Sequence, residues 1–269
     1  MWADLPWLGV GQRWDGPQDA RRLRYFGDGL SYFEPALPMR REQRPRGVPL
    51  LAHSSELALA TSGALNPAML RRLAADVREL ASPWAGEHFC LNSTIDTGDL
   101  GYNFAPLLDE PTIAATVANV RAVQRAYGCP LAIEAGPRYF AWDGRSDDHA
   151  CMAEVAVRTD CAIIVDLSHH LCTALNLGLA PEAGLSPAAL ERTVELHVTG
   201  IGAHRTRGFF HDSHDVAVPE EAWRLLAWAL ERTPNLRAVT LEHSAAVPDD
   251  VYERDLRRLQ ALVGQRGPV

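Results

Sequence analysis

Short apolar runs that close on a histidine or an acid recur along the chain, and this recurrence restricts the fold more than any other feature. VPLLAH ends in His53, WAGEHFC carries Glu87 and His88, and PLAIE ends in Glu134. AIIVDLSHH delivers Asp166, His169 and His170, and TVELH ends in His197. HDSHD then supplies Asp212 and His214, and AVTLEH supplies Glu242 and His243. The runs are brief, and most are apolar enough to suit strands covered on both faces. Strands are predicted at Trp7–Gly11, Gly29–Glu34, Val48–His53, Gly86–Leu91, Pro130–Glu134, Cys161–Leu167, Thr193–Thr199 and Ala238–Glu242. Helical spacing fills Asn66–Leu80, Thr112–Tyr127, Pro187–Arg192, Pro219–Arg232 and Asp249–Val263. In the first of these Met69, Leu70, Leu73, Val77 and Leu80 share one face, and Pro67 suits a first-turn position. Arg138–Asp148 and Gly202–Asp215 show no period and read as loops.

Strands alternating with helices over 269 residues fit a (β/α)8 TIM barrel, one domain spanning residues 1–269. A doubly wound open sheet would alternate in the same way. The placement of the polar residues favours the barrel, whose reactive groups belong at the C-terminal ends of several strands and converge on one mouth. Taken singly, a histidine at a strand end is usually a hydrogen-bonded structural residue, and an acid there often caps a helix. Taken together, so many carboxylates in one mouth carry a desolvation and repulsion cost that cations offset. Imidazole and carboxylate without a cysteine cluster suit iron, manganese, zinc or cobalt. The candidates His53, His88, Glu134, Asp166, His169, His197, Asp212, His214 and Glu242 exceed what one ion needs. They point to two or three ions with bridging carboxylates.

Other classes are disfavoured. The formal charge is −8 and no basic run is longer than two, so nucleic acid is not an expected partner. There is no apolar run of about 18 residues to cross a bilayer, and MWADLPWLGV is too short and acidic for a signal peptide. The expected location is cytoplasmic. The five cysteines contain no C-x-x-C pair, which argues against a disulfide framework and a structural zinc knuckle. Gly9-x-Gly11 lacks the rest of a dinucleotide fingerprint. For substrate contacts, Arg138, Tyr139 and Trp142 follow the Glu134 strand, and Arg205, Arg207, Phe209 and Phe210 precede Asp212. Arginine in such a place suits a peptide carboxylate, or else anchors a loop.

The series HSSELALATSG, EHFC, IEAGPRYF, DLSHH…LNLG, ELHVTG, HDSHD and LEH resembles that of the multinuclear non-haem iron-dependent oxidative enzymes, from about Gly9 to Glu242. The Ser-Glu-His-Leu signature of that family stands here as Gly86-Glu87-His88-Phe89, and its Asp-x-Asn-Asn as Asp166-Leu167-Ser168-His169. Its Glu-Asn pair becomes Glu134-Ala135, and its His-x-Ala-Gly-His becomes His197-Val198-Thr199-Gly200-Ile201. These departures change the hydrogen bonds that hold the ligands, and His169 gains the chance to be a ligand itself. The resemblance implies a xylose-isomerase-like barrel, two or three irons of mixed Fe(II)/Fe(III) valence, and dioxygen as co-substrate. It implies oxidative modification of a ribosomally made precursor peptide, often at cysteine, with a small leader-binding companion protein or a peptide groove of the chain's own. On this basis Glu134, Asp166, His197 and Glu242 form the catalytic iron site, His53 and His88 reach a second ion, and His169, Asp212 and His214 hold a third or the substrate. Two other classes stay open: a redox-neutral di-metal barrel such as a sugar isomerase or phosphodiester hydrolase, and a metal-binding partner subunit without catalysis.

Overall fold

The computed structural model describes residues 2–94, 98–141, 144–203 and 208–266. Its strands are β1 (Gly9–Trp14), β2 (Tyr32–Leu37), β3 (Ala52–Ser54), β4 (Ala85–Phe89), β5 (Leu91–Thr94) and β6 (Gly98–Phe104). They continue as β7 (Leu131–Ala135), β8 (Ala162–Asp166), β9 (Thr193–Val198), β10 (Ile201–Ala203), β11 (Phe210–Asp212) and β12 (Ala238–Leu241). Eight of these close into a barrel in the order β1-β12-β9-β8-β7-β4-β3-β2, and every pairing within it is parallel. Closure removes the open-sheet alternative. The remaining strands form two antiparallel hairpins, β5–β6 after β4 and β10–β11 after β9, both at the C-terminal mouth. The second hairpin begins at Ile201 and overlaps the Gly202–Asp215 stretch expected to be loop, where strand pairing imposes order that the local sequence does not announce.

The helices are α1 (Pro67–Leu80), α2 (Glu110–Tyr127), α3 (Asp148–Thr159), α4 (Leu167–Leu177), α5 (Pro187–Glu191), α6 (Glu220–Leu230) and α7 (Asp249–Arg266). Asn66 caps α1 by accepting from the Ala68 and Met69 amides, and α1 buries Leu73, Ala74 and Val77. Leu73 and Val77 each contribute roughly 1.5–3 kcal/mol by leaving water. The β1–β2 and β2–β3 connections carry 3-10 turns at Pro17–Tyr25 and Arg41–Gln43 in place of α-helices. Pro17, Pro35, Pro38, Pro45 and Pro49 punctuate that region, and proline removes the donor an α-helix needs. Among the described residues no helix is long and apolar enough to cross a membrane.

Strand alternation sorts the barrel interior into layers. Leu51, Ala132, Ala162 and Ala238 fill the bottom. Above them Tyr32 and Trp84 occupy the middle, and Gly11 is required there because a Cβ would lie 2.1 Å from the Tyr32 ring. Two or four residues further along the same strands, on the same inward face, come the polar groups of the mouth. The opposite faces, such as Ile133, Ile163, Val165, Leu196 and Val239, pack beneath the helices.

Candidate metal centre

Parallel register sets the first neighbours. His88 lies beside Glu134 on β4 and β7, and Asp166 beside His197 on β8 and β9. Glu134 stands at the centre. Its carboxylate oxygens lie 3.0 Å from His169 Nδ1, 3.2 Å from His53 Nε2, 3.5 Å from His88 Nε2 and 3.7 Å from His197 Nδ1. The His53 and His88 Nε2 atoms are themselves 3.0 Å apart. His197 Nδ1 also faces Glu242 Oε1 at 3.5 Å. At the rim, Asp212 Oδ2 bridges His214 Nε2 at 2.7 Å and His169 Nε2 at 3.1 Å. Asp166 serves twice: Oδ1 accepts the Ser168 and His169 amides as the cap of α4, while Oδ2 is buried without a hydrogen bond.

These spacings suit ions. Ligand atoms held about 2 Å from a common metal are themselves about 3 Å apart. Four groups meet the geometric requirement: His53, His88 and Glu134; Glu134, Asp166 and His197; His169, Asp212 and His214; and Glu34, His53 and His197. Both oxygens of Glu34 and of Glu134, both nitrogens of His197, and Asp166 Oδ2 are buried with no hydrogen-bond partner. Buried polar atoms are ordinarily paired, so such a concentration of orphans fits residues whose partner is a cation. The donor set, imidazole with carboxylate, fits iron among other metals.

The local electrostatics agree. Burial would raise Glu134, but His88, His197, His169 and His53 override it and hold the carboxylate well below its usual range. Burial likewise opposes the charge on Glu242, which His197, His214 and Arg13 bring down to about 2. Asp166 moves the other way, up to about 7, through burial and the neighbouring Glu242 and Glu134 charges. Burial depresses His88 to about 4, which leaves it neutral and able to donate its lone pair.

All nine predicted ligands thus lie in one connected cluster at the barrel mouth. Sequence reading missed Glu34, whose carboxylate stands 3.3 Å from His53 Nδ1 and 3.4 Å from His197 Nε2. It also passed over Glu195, one layer down. There the carboxylate accepts from Trp84 Nε1 and Thr240 Oγ1, both at 2.9 Å, and faces His197 Nε2 at 3.3 Å. The alternating E-L-H of β9 was the available signal, since residues two apart share a face. Glu87 belongs elsewhere, turned outward to accept from Tyr127 Oη at 2.8 Å. His170 and His243 are also outside the cluster, bonded to the Pro181 carbonyl and to Asp255.

Above the cluster opens a cavity of about 610 Å³, walled by Ser54, Ser55, Asn92, Tyr102, Asn103 and Tyr139. Of the proposed substrate residues, Tyr139 lines it and packs edge-on against Phe209. Arg138 is a correction. Its buried guanidinium donates to both Asp148 oxygens at 2.6 and 2.7 Å and to the Pro106 carbonyl at 2.6 Å, which uses its fork inside the protein. Trp142, Arg205 and Arg207 lie outside the described residues. Burial and the nearby Asp212 charge push the Cys172 thiol up to about 12, against a role as thiolate.

A protein of Caulobacter vibrioides named only UPF0276 protein is 28% identical over 228 residues, covering 81% of this chain and 78% of its own length. Among solved structures, an L-ribulose 3-epimerase aligns with a TM-score of 0.60 at 14% identity, over 96% of this chain and 93% of that one. A xylose isomerase-like TIM barrel protein from Mycobacterium smegmatis in complex with magnesium aligns at 0.57 and 13% identity, over 97% and 99%. At such identities the likeness is one of fold, and the barrel is of the xylose-isomerase-like kind. The family pattern described as RiPP precursor modification enzyme MbnB/TglH/ChrH matches residues 34–263, and the chain belongs to that family.

Proposed function

We propose that this protein is a multinuclear non-haem iron oxidase that uses dioxygen to modify a ribosomally made precursor peptide, commonly at cysteine. The observation that carries the reading is the junction at Glu134, where overlapping groups of orphaned ligands share one buried carboxylate beneath an open cavity. Glu134, Asp166, His197 and Glu242 hold one iron, His53 and His88 a second against Glu134, and His169, Asp212 and His214 a third. Bound iron supplies one-electron chemistry and activation of dioxygen. The protein's own groups do the rest. Glu195, anchored by Trp84 and Thr240, sets its carboxylate 3.3 Å from His197 Nε2, while Nδ1 faces Glu134 and Glu242. The packed layer of Leu51, Ala132, Ala162 and Ala238 closes the barrel floor to water. Ser55 and Asn103 offer hydrogen bonds for an extended peptide, and Tyr102 and Tyr139 offer aromatic faces.

The whole of residues 1–269 acts as one domain in this reading, and the place of action is the cytoplasm, where precursor peptides are made. A small companion protein that grips the leader segment is the expected partner. The test is to prepare the protein without air, measure its metals, and incubate it with peptides encoded beside it, with and without dioxygen. A mass change that needs both iron and dioxygen supports the proposal. Turnover that proceeds equally without dioxygen would replace it with a redox-neutral metal enzyme.

A further inference from the structure

Among the described residues, Arg13 is the only guanidinium that lines the cavity above the metal centre. It stands on β1, its Cα paired in register with Glu34, and its side chain is 31% exposed. Its Nε donates to Asp15 Oδ1 at 2.8 Å, and Asp15 is its one carboxylate partner there within salt-bridge distance. At the other end of the fork Nη1 touches only His214, 3.3 Å from Nδ1, while the Glu242 and Asp212 carboxylates act on the guanidinium from beyond salt-bridge distance.

That contact is no hydrogen bond. His214 Nδ1 is also 2.7 Å from the Glu242 carbonyl oxygen, which can only accept. The ring nitrogen must therefore carry a proton directed at that carbonyl, and it has no lone pair left for Arg13. Nε2, the other nitrogen, faces Asp212 Oδ2 at 2.7 Å and belongs to the candidate ligand group. The Arg13 Nη groups thus end beside a donor, at the edge of the cavity, with no acceptor supplied by the protein. Arg138 shows the contrast, since its fork is filled by Asp148 and Pro106.

We infer that the Nη edge of Arg13 is a carboxylate subsite, which takes either the C-terminal carboxylate of the peptide or an aspartate or glutamate side chain next to the modified residue. A carboxylate lying against Nη1 and Nη2 completes a planar pair of charge-assisted hydrogen bonds and seats the neighbouring residue over the metal cluster. Serine, asparagine and tyrosine elsewhere on the wall bind neutral backbone but give no such match for an anion.

This inference rests on the peptide-oxidase reading, and the experiment separates the two. Three probes are titrated calorimetrically, without air, into the iron-loaded protein: N-acetylglycylcysteine, its C-terminal amide, and N-acetylaspartylcysteine amide. At least one carboxylate-bearing probe should bind about ten- to a hundredfold more tightly than the neutral amide, the range expected for hydrogen bonds to a charged group. Preference for the first places the peptide terminus at Arg13, and preference for the third places an acidic side chain there. Arg13→Gln should erase the preference, and Arg13→Lys, which keeps the charge and loses the fork, should recover only part of it. Equal affinity for all three probes on the unaltered protein overturns the subsite. So does a preference that survives in Arg13→Gln, because the carboxylate is then held by the metal. If peptides encoded beside the protein are still oxidised while the probes bind equally, the subsite alone falls. If no peptide binds or reacts at all, the oxidase reading falls and takes the subsite with it.

Discussion

Replacing Glu134 by glutamine tests the metal centre at its junction. The substitution keeps the shape of the side chain and removes its charge. Two of the four candidate groups include this residue, and its oxygens lie within 3.7 Å of four imidazoles. A four-ligand protein site holds zinc with an apparent ~10–16 kcal/mol, so one ligand accounts for roughly 3 kcal/mol, about two orders of magnitude in affinity. Because the residue is shared, both groups should weaken by at least that factor, whereas His169, Asp212 and His214 keep their own ligands. The assay is iron stoichiometry by elemental analysis after anaerobic preparation and dialysis against a weak chelator. Glu87→Gln is the control, one strand away and turned outward. Burial pushes the Glu87 carboxyl up to about 8, so at neutral pH that swap exchanges one uncharged group for another. Full iron retention with unchanged affinity in Glu134→Gln would refute the shared-ligand arrangement. Equal loss in both variants would show that general disruption, not ligation, controls the metal.

Asp212→Asn should remove only the rim ion, because His169 and His214 lose the oxygen between them while the His53–His88 pair is untouched; iron content should fall in part, and complete loss would count against separate sites. Glu195→Gln should weaken iron about ten- to a hundredfold without removing a ligand, the usual effect of losing the carboxylate behind a metal-bound histidine, and unchanged affinity would rule out that role. In the metal-free protein burial works against a proton on His53, but Glu34 and Glu134 override it and hold the ring up at about 9, against an ordinary 6.5. A raised histidine stabilises the fold fully below its unfolded value and loses that contribution as pH climbs through its folded one, so thermal melts of metal-free protein should decline toward pH 9 by up to about 3 kcal/mol. Iron must displace the same proton, so its affinity should rise over that window, and calorimetry in buffers of different ionisation heat should detect the protons released.

The candidate ligands at the barrel mouth were legible because most close an apolar run, and a strand covered on both faces has few reasons to end in an imidazole or an acid. Glu34 was passed over although the predicted Gly29–Glu34 strand closes on it. β2 runs from Tyr32 to Leu37, three residues later than its apolar pattern implied, and Pro35 follows the acid directly. Glu195 escaped because it sits inside β9, where the next histidine draws the eye and nothing local reveals Trp84 and Thr240 waiting across the barrel. Helix α4, LSHHLCTALNL, has almost no polar face to mark its period, since Leu167 through Ala174 are all buried. Arg138 misled in the opposite sense: its position after a strand end suits substrate, but Asp148, at the start of α3, claims it. Partner choice of this kind is set by tertiary packing, and spacing along the chain carries little trace of it.

The layering of the barrel shows what the mouth costs. The bottom layer is filled with Leu51, Ala132, Ala162 and Ala238, as an interior selected for packing would be. Further up the inward faces, His53 and Glu134 stand two residues beyond Leu51 and Ala132, Asp166 and Glu242 four beyond Ala162 and Ala238, and Glu34 two beyond Tyr32 on β2. Aliphatic side chains there would avoid both the desolvation of the acids and their mutual repulsion. The protein instead builds a polar tier between the two, with Tyr32, Trp84, Thr240 and Glu195 linked by hydrogen bonds and the Glu195 carboxylate 3.3 Å from His197 Nε2. Such a tier has no use beneath a purely structural core, where neither a ring orientation nor a tautomer needs fixing. Beneath ligands that must meet a cation at fixed distances it has one, because an imidazole free to turn would lose the ion each time it did.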